Sequence, residues 1–420
     1  MSTQPLKILH VQETLSPRYG GPAAALPQLA RAQAMAGHDV EIVTTNADHP
    51  RGVYRKGGWA ALEHSKVQVF YGTVEFPSLC FSMGLAAYLR QAMASFDIVH
   101  VHGLYRFPPT YAAYQARKQG VPYIIRPHGS LDPYLYDKSS RSVSLKRLYE
   151  RWFDLPNLHS ASAIHYTAEE ERERVAFLNL CAPSFVVPNG LDWEQYRTLP
   201  PRGALRARWG LDDAPLVLFL GRLHFKKGLD LLIPAFDEVR KKIAAAQLVI
   251  VGPENDDYGE KVRGWVRERD LHNTVHFVGP LHGQDVAQAY VDADVFALPS
   301  YTENFGITVA EAMACALPVV ISDQVNIHAE ITQAGAGLVT HCDVDEVANA
   351  LVDLLCDTER RRNMGEAGRR LVQEKYTWPA IEEALTREYE AIIERHRGAG
   401  GAKCVSPPDN GAVLALMKPT

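Results

Sequence analysis

The sequence predicts an α/β protein made of two Rossmann-like halves, each a doubly wound parallel sheet. Three observations carry this. Short apolar runs rich in β-branched residues alternate with helix-like stretches through both halves, the pattern of parallel strands covered on both faces. Boundary signals, Asn189-Gly190 and Pro200-Pro201, interrupt that rhythm near the middle. Glycines and polar residues follow several strand runs directly, at the sheet edge where open α/β folds bind ligands.

Each element follows in order. Ile8-Leu-His-Val11 reads as the first strand, followed by the loop Ser16-Pro-Arg-Tyr-Gly-Gly-Pro22 and a helix from about Ala23 to Gly37. Strands are expected at 38–44, 97–103 and 122–126, then in the second half at 216–220, 247–251, 274–278 and 295–299. The expected division is 1–195 for the first domain and 196–377 for the second, then a charged helix at 378–397 and a disordered tail at 398–420. That tail contains Gly-Ala-Gly-Gly and Pro-Pro and lacks an amphipathic pattern.

Composition narrows the classes. With 420 residues, 46% hydrophobic and 22% charged, the chain is globular and long enough for two domains. A net charge of −5 argues against a dedicated nucleic-acid binder. The six cysteines form no C-x-x-C pair, so they read as reduced thiols of a cytoplasmic protein. Lys7-Ile-Leu-His-Val11 is too short for a signal-peptide core, and no run is apolar enough to span a bilayer.

Two segments carry the chemistry. Pro299 to Val320 runs strand end, polar loop, glycine, helix start, with Glu303 in the loop and Glu311 on the first turns of the helix. Unpaired N–H groups at such a helix start attract phosphate. Leu216 to Gly228 ends a buried strand at Gly221 and then presents Arg222, Lys226 and Lys227. Arg222 offers a planar fork and Lys227 a compact charge, both suited to a diphosphate. Solvated loop charges are the bland alternative for each segment alone.

Together, G-R-L-x-x-x-K-G at Gly221 to Gly228 and E-N-F-G-x-x-x-x-E at Glu303 to Glu311, about eighty residues apart, resemble the retaining glycosyltransferases of the GT-B fold, specifically family four. The resemblance runs from about Lys7 to about Arg397. It implies two domains facing a cleft, with the 378–397 helix packing back on the first. It also implies sugar transfer from a nucleotide-diphosphate donor to a hydroxyl acceptor, as in polysaccharide, lipopolysaccharide or glycolipid assembly. Arg222 and Lys227 would bind the diphosphate. The backbone of Asn304, Phe305, Gly306, Ile307 and Thr308 would support phosphates and sugar, Glu311 would hold the ribose, and Glu303 would orient the transferred sugar. Gly20 and Gly21 would let the backbone approach the substrates, and His128, in Arg126-Pro-His-Gly-Ser130, would contact the transferred sugar. His102 is a weaker candidate, since such histidines also serve as wall residues. Front-face attack and a covalent intermediate are both compatible with retention.

No cofactor beyond the donor substrate is expected. The triplets Asp292-Ala-Asp294 and Asp343-Val-Asp345 resemble metal-holding D-x-D motifs, but the first precedes a buried strand and the second a helix-like run, where Asp caps well. Arg222, Lys227 and the helix start near Thr308 can offset the diphosphate charge, so metal-independent transfer is expected. The loop at Gly20-Gly21 lacks G-x-G-x-x-G, which weighs against a dehydrogenase. Lys138 to Phe153 sets an apolar helical stripe among basic residues. It reads either as a helix docked on its own domain or as a surface for anionic lipid at the inner face of the cell membrane. An epimerase, a phosphorylase-like enzyme and an inactive sugar-nucleotide-binding subunit are the rival functions.

Overall fold

The computed structural model describes the chain except residues 1–3, 17–18, 49–51, 54, 134–145, 212, 255–256 and 399–420. The expected tail from 399 onward and residues 138–145 of the basic segment therefore lie outside the described residues. The chain forms two compact units, one of Met1–Gly190 with Trp378–Thr420, the other of Leu191–Thr377.

The first unit is built on an eight-stranded sheet. Its strands are β1 (Lys7–Thr14), β2 (Asp39–Thr45), β3 (Gly58–Ala61), β4 (Gln68–Gly72), β5 (Ile98–His102), β6 (Tyr123–Arg126), β7 (Ala163–Tyr166) and β8 (Ser184–Val186). The order is β8-β7-β6-β5-β1-β2-β4-β3, parallel throughout except for the edge strand β3. On one face, Ile8, Ile98, Ile124 and Ala163 pack with Leu26 and Leu29 of helix α1 (Gly21–Met35) and with Trp378, Ile381, Leu385 and Tyr389 of the terminal helix (Trp378–Gly398). On the other, Leu9, Val99, Val101 and Ile125 pack against Ala112, Ala113 and Ala116 of helix α2 (Phe107–Gln119). Each fully buried Leu, Ile or Val contributes about 1.5–3 kcal/mol. Gly190 admits the terminal helix: a Cβ there would lie 2.3 Å from the Trp378 ring.

The second unit has a six-stranded, wholly parallel sheet. Its strands are β9 (Leu216–Leu220), β10 (Gln247–Val251), β11 (Val275–Gly279), β12 (Val295–Leu298), β13 (Val319–Ser322) and β14 (Gly337–Thr340), in the order β11-β10-β9-β12-β13-β14. The chain reverses sheet direction between β9 and β12, so the ends of these two central strands form the switch point. Both candidate segments begin there.

The D-x-D carboxylates are used as structural acceptors. Asp292 accepts the amides of Gly203 (2.5 Å), Leu205 (2.7 Å) and Arg206 (3.1 Å), capping a short helix (Ala204–Trp209). Asp294 pairs with Arg202 (2.7 Å) and Arg206 (2.8 Å), and Asp343 caps the helix Val344–Cys356 through the amides of Asp345 and Glu346.

Candidate active site

In the second unit the strand ends position the polar residues. After β9, Gly221 donates its amide to Val251 O (2.9 Å), and a tight turn over Phe225–Lys227 leads into helix α3 (Leu229–Lys242). Gly228 opens that helix at φ 69° against the end of β12: a Cβ there would lie 1.9 Å from Pro299 O. Only glycine fits both the conformation and the contact. This close approach sets the turn carrying Lys227 beside the loop carrying Glu303.

The result is an ion pair between Lys227 Nζ and Glu303 Oε2, each side chain about one-fifth exposed. Glu303 is held from both sides, its amide donating to Gln324 O (3.0 Å) and its carbonyl accepting from the Asn326 amide (3.0 Å). Arg222 is exposed and forms no ion pair among the described residues. Gly306, at φ 74°, caps helix α4 (Ile307–Ala314). Its carbonyl accepts the amides of Val309 and Ala310, and the amides of Ile307 and Thr308 have no backbone partner among the described residues. Phe305 is buried edge-on to Tyr376, so its side chain anchors the loop while its backbone stays with the helix start. Asn304 lies half-buried in the same loop.

Glu311, on the second turn of α4, is more constrained than the sequence suggested. Its Oε2 accepts from Tyr290 Oη (2.9 Å), and Tyr196 is a second hydroxyl donor. Burial pushes its carboxyl up to about 7, with the two tyrosines pulling the other way. Neither tyrosine was singled out from sequence, because they lie 21 and 115 positions away on separate elements.

In the first unit, Gly20 (φ 81°) caps α1 and Gly21 opens it, with no atom within 4 Å of a Cβ built at either. His128 follows β6 with φ 54°, and Gly129 continues the left-handed path at φ 73°. Glu171 holds this corner: its Oε1 accepts the Gly129 amide (2.7 Å), and its Oε2 accepts from Thr167 N (2.7 Å) and Oγ1 (2.8 Å).

Behind His128 stands a buried histidine network that sequence reasoning reached only at His102. Strand register sets His10 beside His100 and Gln12 beside His102, and His102 beside Arg126 on the next strand. Ring nitrogens pair as His10 Nδ1 with His102 Nε2 (2.9 Å), His102 Nδ1 with His128 Nε2 (3.2 Å), and His100 Nε2 with His165 Nδ1 (3.2 Å). Burial, with Arg126 adding to it, lowers the pKa of all five, to about 4 for His10 and well below the usual imidazole range for the others. Arg126 is itself buried, donating to Asn189 Oδ1 (2.8 Å) and lowered to about 10 by desolvation. The alternation in Ile98-Val-His-Val-His102, with His10 on the neighbouring strand, was the available signal.

Two family models match. Residues 202–371 match the group 1 glycosyl transferases, and residues 20–190 match the glycosyl transferase 4-like domain. A D-inositol 3-phosphate glycosyltransferase from Kineococcus radiotolerans is 28% identical over 91% of this chain and 93% of its own. A GDP-mannose-dependent α-(1-6)-phosphatidylinositol monomannoside mannosyltransferase from Mycobacterium tuberculosis is 28% identical over 89% and 96%. Among solved structures, a sucrose-phosphate synthase from Thermosynechococcus elongatus aligns with TM-score 0.73 at 23% identity, covering 93% of this chain and all of its own. Anabaena HepE, solved with UDP and glucose, aligns with TM-score 0.70 at 19% identity over 92% of this chain and all of its own.

Proposed function

Because the chain belongs to the group 1 glycosyltransferases of the GT-B fold, we propose that it transfers a hexose, with retention, from a nucleotide-diphosphate sugar to a hydroxyl of a glycan or lipid-linked acceptor. The observation that carries this reading is the convergence of Arg222, the Lys227–Glu303 pair and the α4 N-terminus at the switch point of one sheet. Arg222 and Lys227 bind the diphosphate and offset the negative charge that grows on it as the sugar–oxygen bond breaks. The Ile307 and Thr308 amides add hydrogen bonds from a helix start. Lys227 turns toward the donor, and Glu303, its partner, then orients the sugar. The second carboxylate oxygen of Glu311 accepts from ribose hydroxyls, and His128 meets a hydroxyl of the transferred sugar.

Metal-independent transfer is supported by the two cations at the diphosphate and by the structural use of Asp292, Asp294 and Asp343. A glycolipid acceptor is supported by the phosphatidylinositol mannoside enzyme among the relatives. Peripheral membrane contact is supported by the described part of the basic segment, where Leu148 (54% exposed), Trp152 (67%) and Phe153 (52%) stand beside the exposed Arg147 and Arg151. No described helix is long and apolar enough to cross a membrane.

The first test is a thermal-shift screen of nucleoside diphosphates and their sugar conjugates with and without EDTA, followed by NMR of the product anomer. A ligand at about 100 times its Kd adds about 2.7 kcal/mol. A shift with one base that survives EDTA, and an anomer unchanged from the donor, are expected. No shift with any nucleotide refutes the reading, and an inverted anomer refutes retention. Flotation with anionic vesicles tests the membrane contact, which absence of binding at low salt refutes.

A further inference from the structure

Glycosyl transfer as proposed uses His128 and leaves the four histidines behind it without a task. Their hydrogen-bond polarity can be traced from one fixed point. Val187 O, a carbonyl, can only accept, so His165 carries its proton on Nε2 (2.7 Å). His165 Nδ1 therefore accepts, and His100 donates to it from Nε2. His100 Nδ1 in turn accepts from the Tyr389 hydroxyl (2.7 Å). With that proton committed, Tyr389 Oη accepts from the Gln33 amide nitrogen (3.4 Å). Gln33 is thereby oriented with Oε1 toward His10, which must donate to it from Nε2 (2.7 Å). His10 Nδ1 then accepts from His102 Nε2–H, and His102 Nδ1 accepts from His128 Nε2–H.

The relay is thus one continuous directed chain from His128 to Val187. It leaves Nδ1 of His128 as a bare acceptor with no partner among the described residues, on a residue that is only partly buried. Desolvation keeps every imidazole in it neutral, which the single direction requires.

We propose that Gln33 is a positioning residue: by accepting from His10 it fixes His128 as the Nε2–H tautomer, so that His128 Nδ1 accepts a hydrogen bond from a hydroxyl of the transferred sugar. This rests on the glycosyl-transfer reading. Without the Gln33 oxygen, the His10–His102–His128 arm can satisfy itself only by reversing, each ring donating from Nδ1. His128 would then meet the sugar with a donor.

Nitrogen-15 NMR of histidine-labelled protein reads the tautomer directly, with His128 assigned by the signal lost in His128→Gln. Wild type should show Nδ1 unprotonated and Nε2 protonated at neutral pH. Gln33→Met should move the His128 proton to Nδ1. It should also lower kcat/KM for the sugar donor about tenfold, the worth of one hydrogen bond, with the Kd of the nucleoside diphosphate unchanged. Gln33→Glu, which keeps an acceptor oxygen at His10, should restore the wild-type tautomer. A wild-type His128 protonated on Nδ1, or a folded Gln33→Met with an unaltered tautomer, would overturn the proposal. Should Gln33→Met fail to fold, the wild-type spectrum decides. The expected tautomer in a protein that transfers no sugar would support the relay and sink the proposed function instead.

Discussion

Replacing Glu311 by Gln should stabilise the protein above neutral pH while weakening nucleotide binding. The carboxyl lies under the hydroxyls of Tyr290 and Tyr196, and burial moves it from the ordinary 4.5 up to about 7. A carboxyl raised in this direction holds its proton more tightly folded than unfolded. Its effect on stability is nil below the unfolded value; stability then falls as pH climbs through about 7 and levels off above it. At about 1.4 kcal/mol per pH unit, the interval from 4.5 to about 7 corresponds to about 3 kcal/mol. Water reaching the half-buried carboxylate reduces this to on the order of 2 kcal/mol. Glutamine keeps an acceptor for the tyrosines and never ionises. Urea unfolding at about pH 4 and about pH 8.5 should therefore give matching stabilities at the lower pH and a more stable variant at the higher. Calorimetric titration at the higher pH should show nucleoside diphosphate binding about tenfold weaker, since a neutral amide replaces a charged acceptor of ribose hydroxyls. Parallel pH–stability curves for the two proteins would refute the account of the buried carboxyl. Unchanged affinity would refute its role in holding ribose.

Other expectations follow from the same geometry. Arg222→Ala and Lys227→Ala should each cut turnover at least ~100-fold, as removal of a preorganised charge stabiliser does; wild-type rates in both would overturn the diphosphate assignment. Gly228→Ala should destabilise the second unit and impair donor binding, since its Cβ would stand 1.9 Å from Pro299 O; thermal unfolding and donor titration would show both. Asp292→Ala should cost about 2 kcal/mol or more by leaving the amides of Gly203, Leu205 and Arg206 uncapped. Its donor affinity, with or without divalent metal, should match wild type in calorimetric titration. A loss restored by metal would return the triplet to a ligand role.

Four strands of each sheet were legible because parallel strands buried on both faces must be continuous apolar runs; Leu216–Leu220 and Gln247–Val251 lie where that rule puts them. β3, β4, β7, β8, β13 and β14, three to five residues long, were not singled out, because runs this short carry no period of their own. Glu303 and Glu311 were singled out by the spacing of a loop and a helix start, a local relation along the chain. The pairing of Lys227 with Glu303 is not local. It spans 76 positions and exists because Gly228 lets two strand ends touch.

By itself, then, the sequence determined the two doubly wound sheets, the switch-point segments and the residue types offered there, since periodicity, turn chemistry and motif order are properties of neighbours in the chain. Only the tertiary structure decided which hydroxyls crowd Glu311, that Asp292, Asp294 and Asp343 serve as caps and ion-pair partners, and that three strands align four buried histidines behind His128. Those outcomes depend on strand register and burial, and a buried polar group takes its partner and its proton from whatever the fold brings within reach.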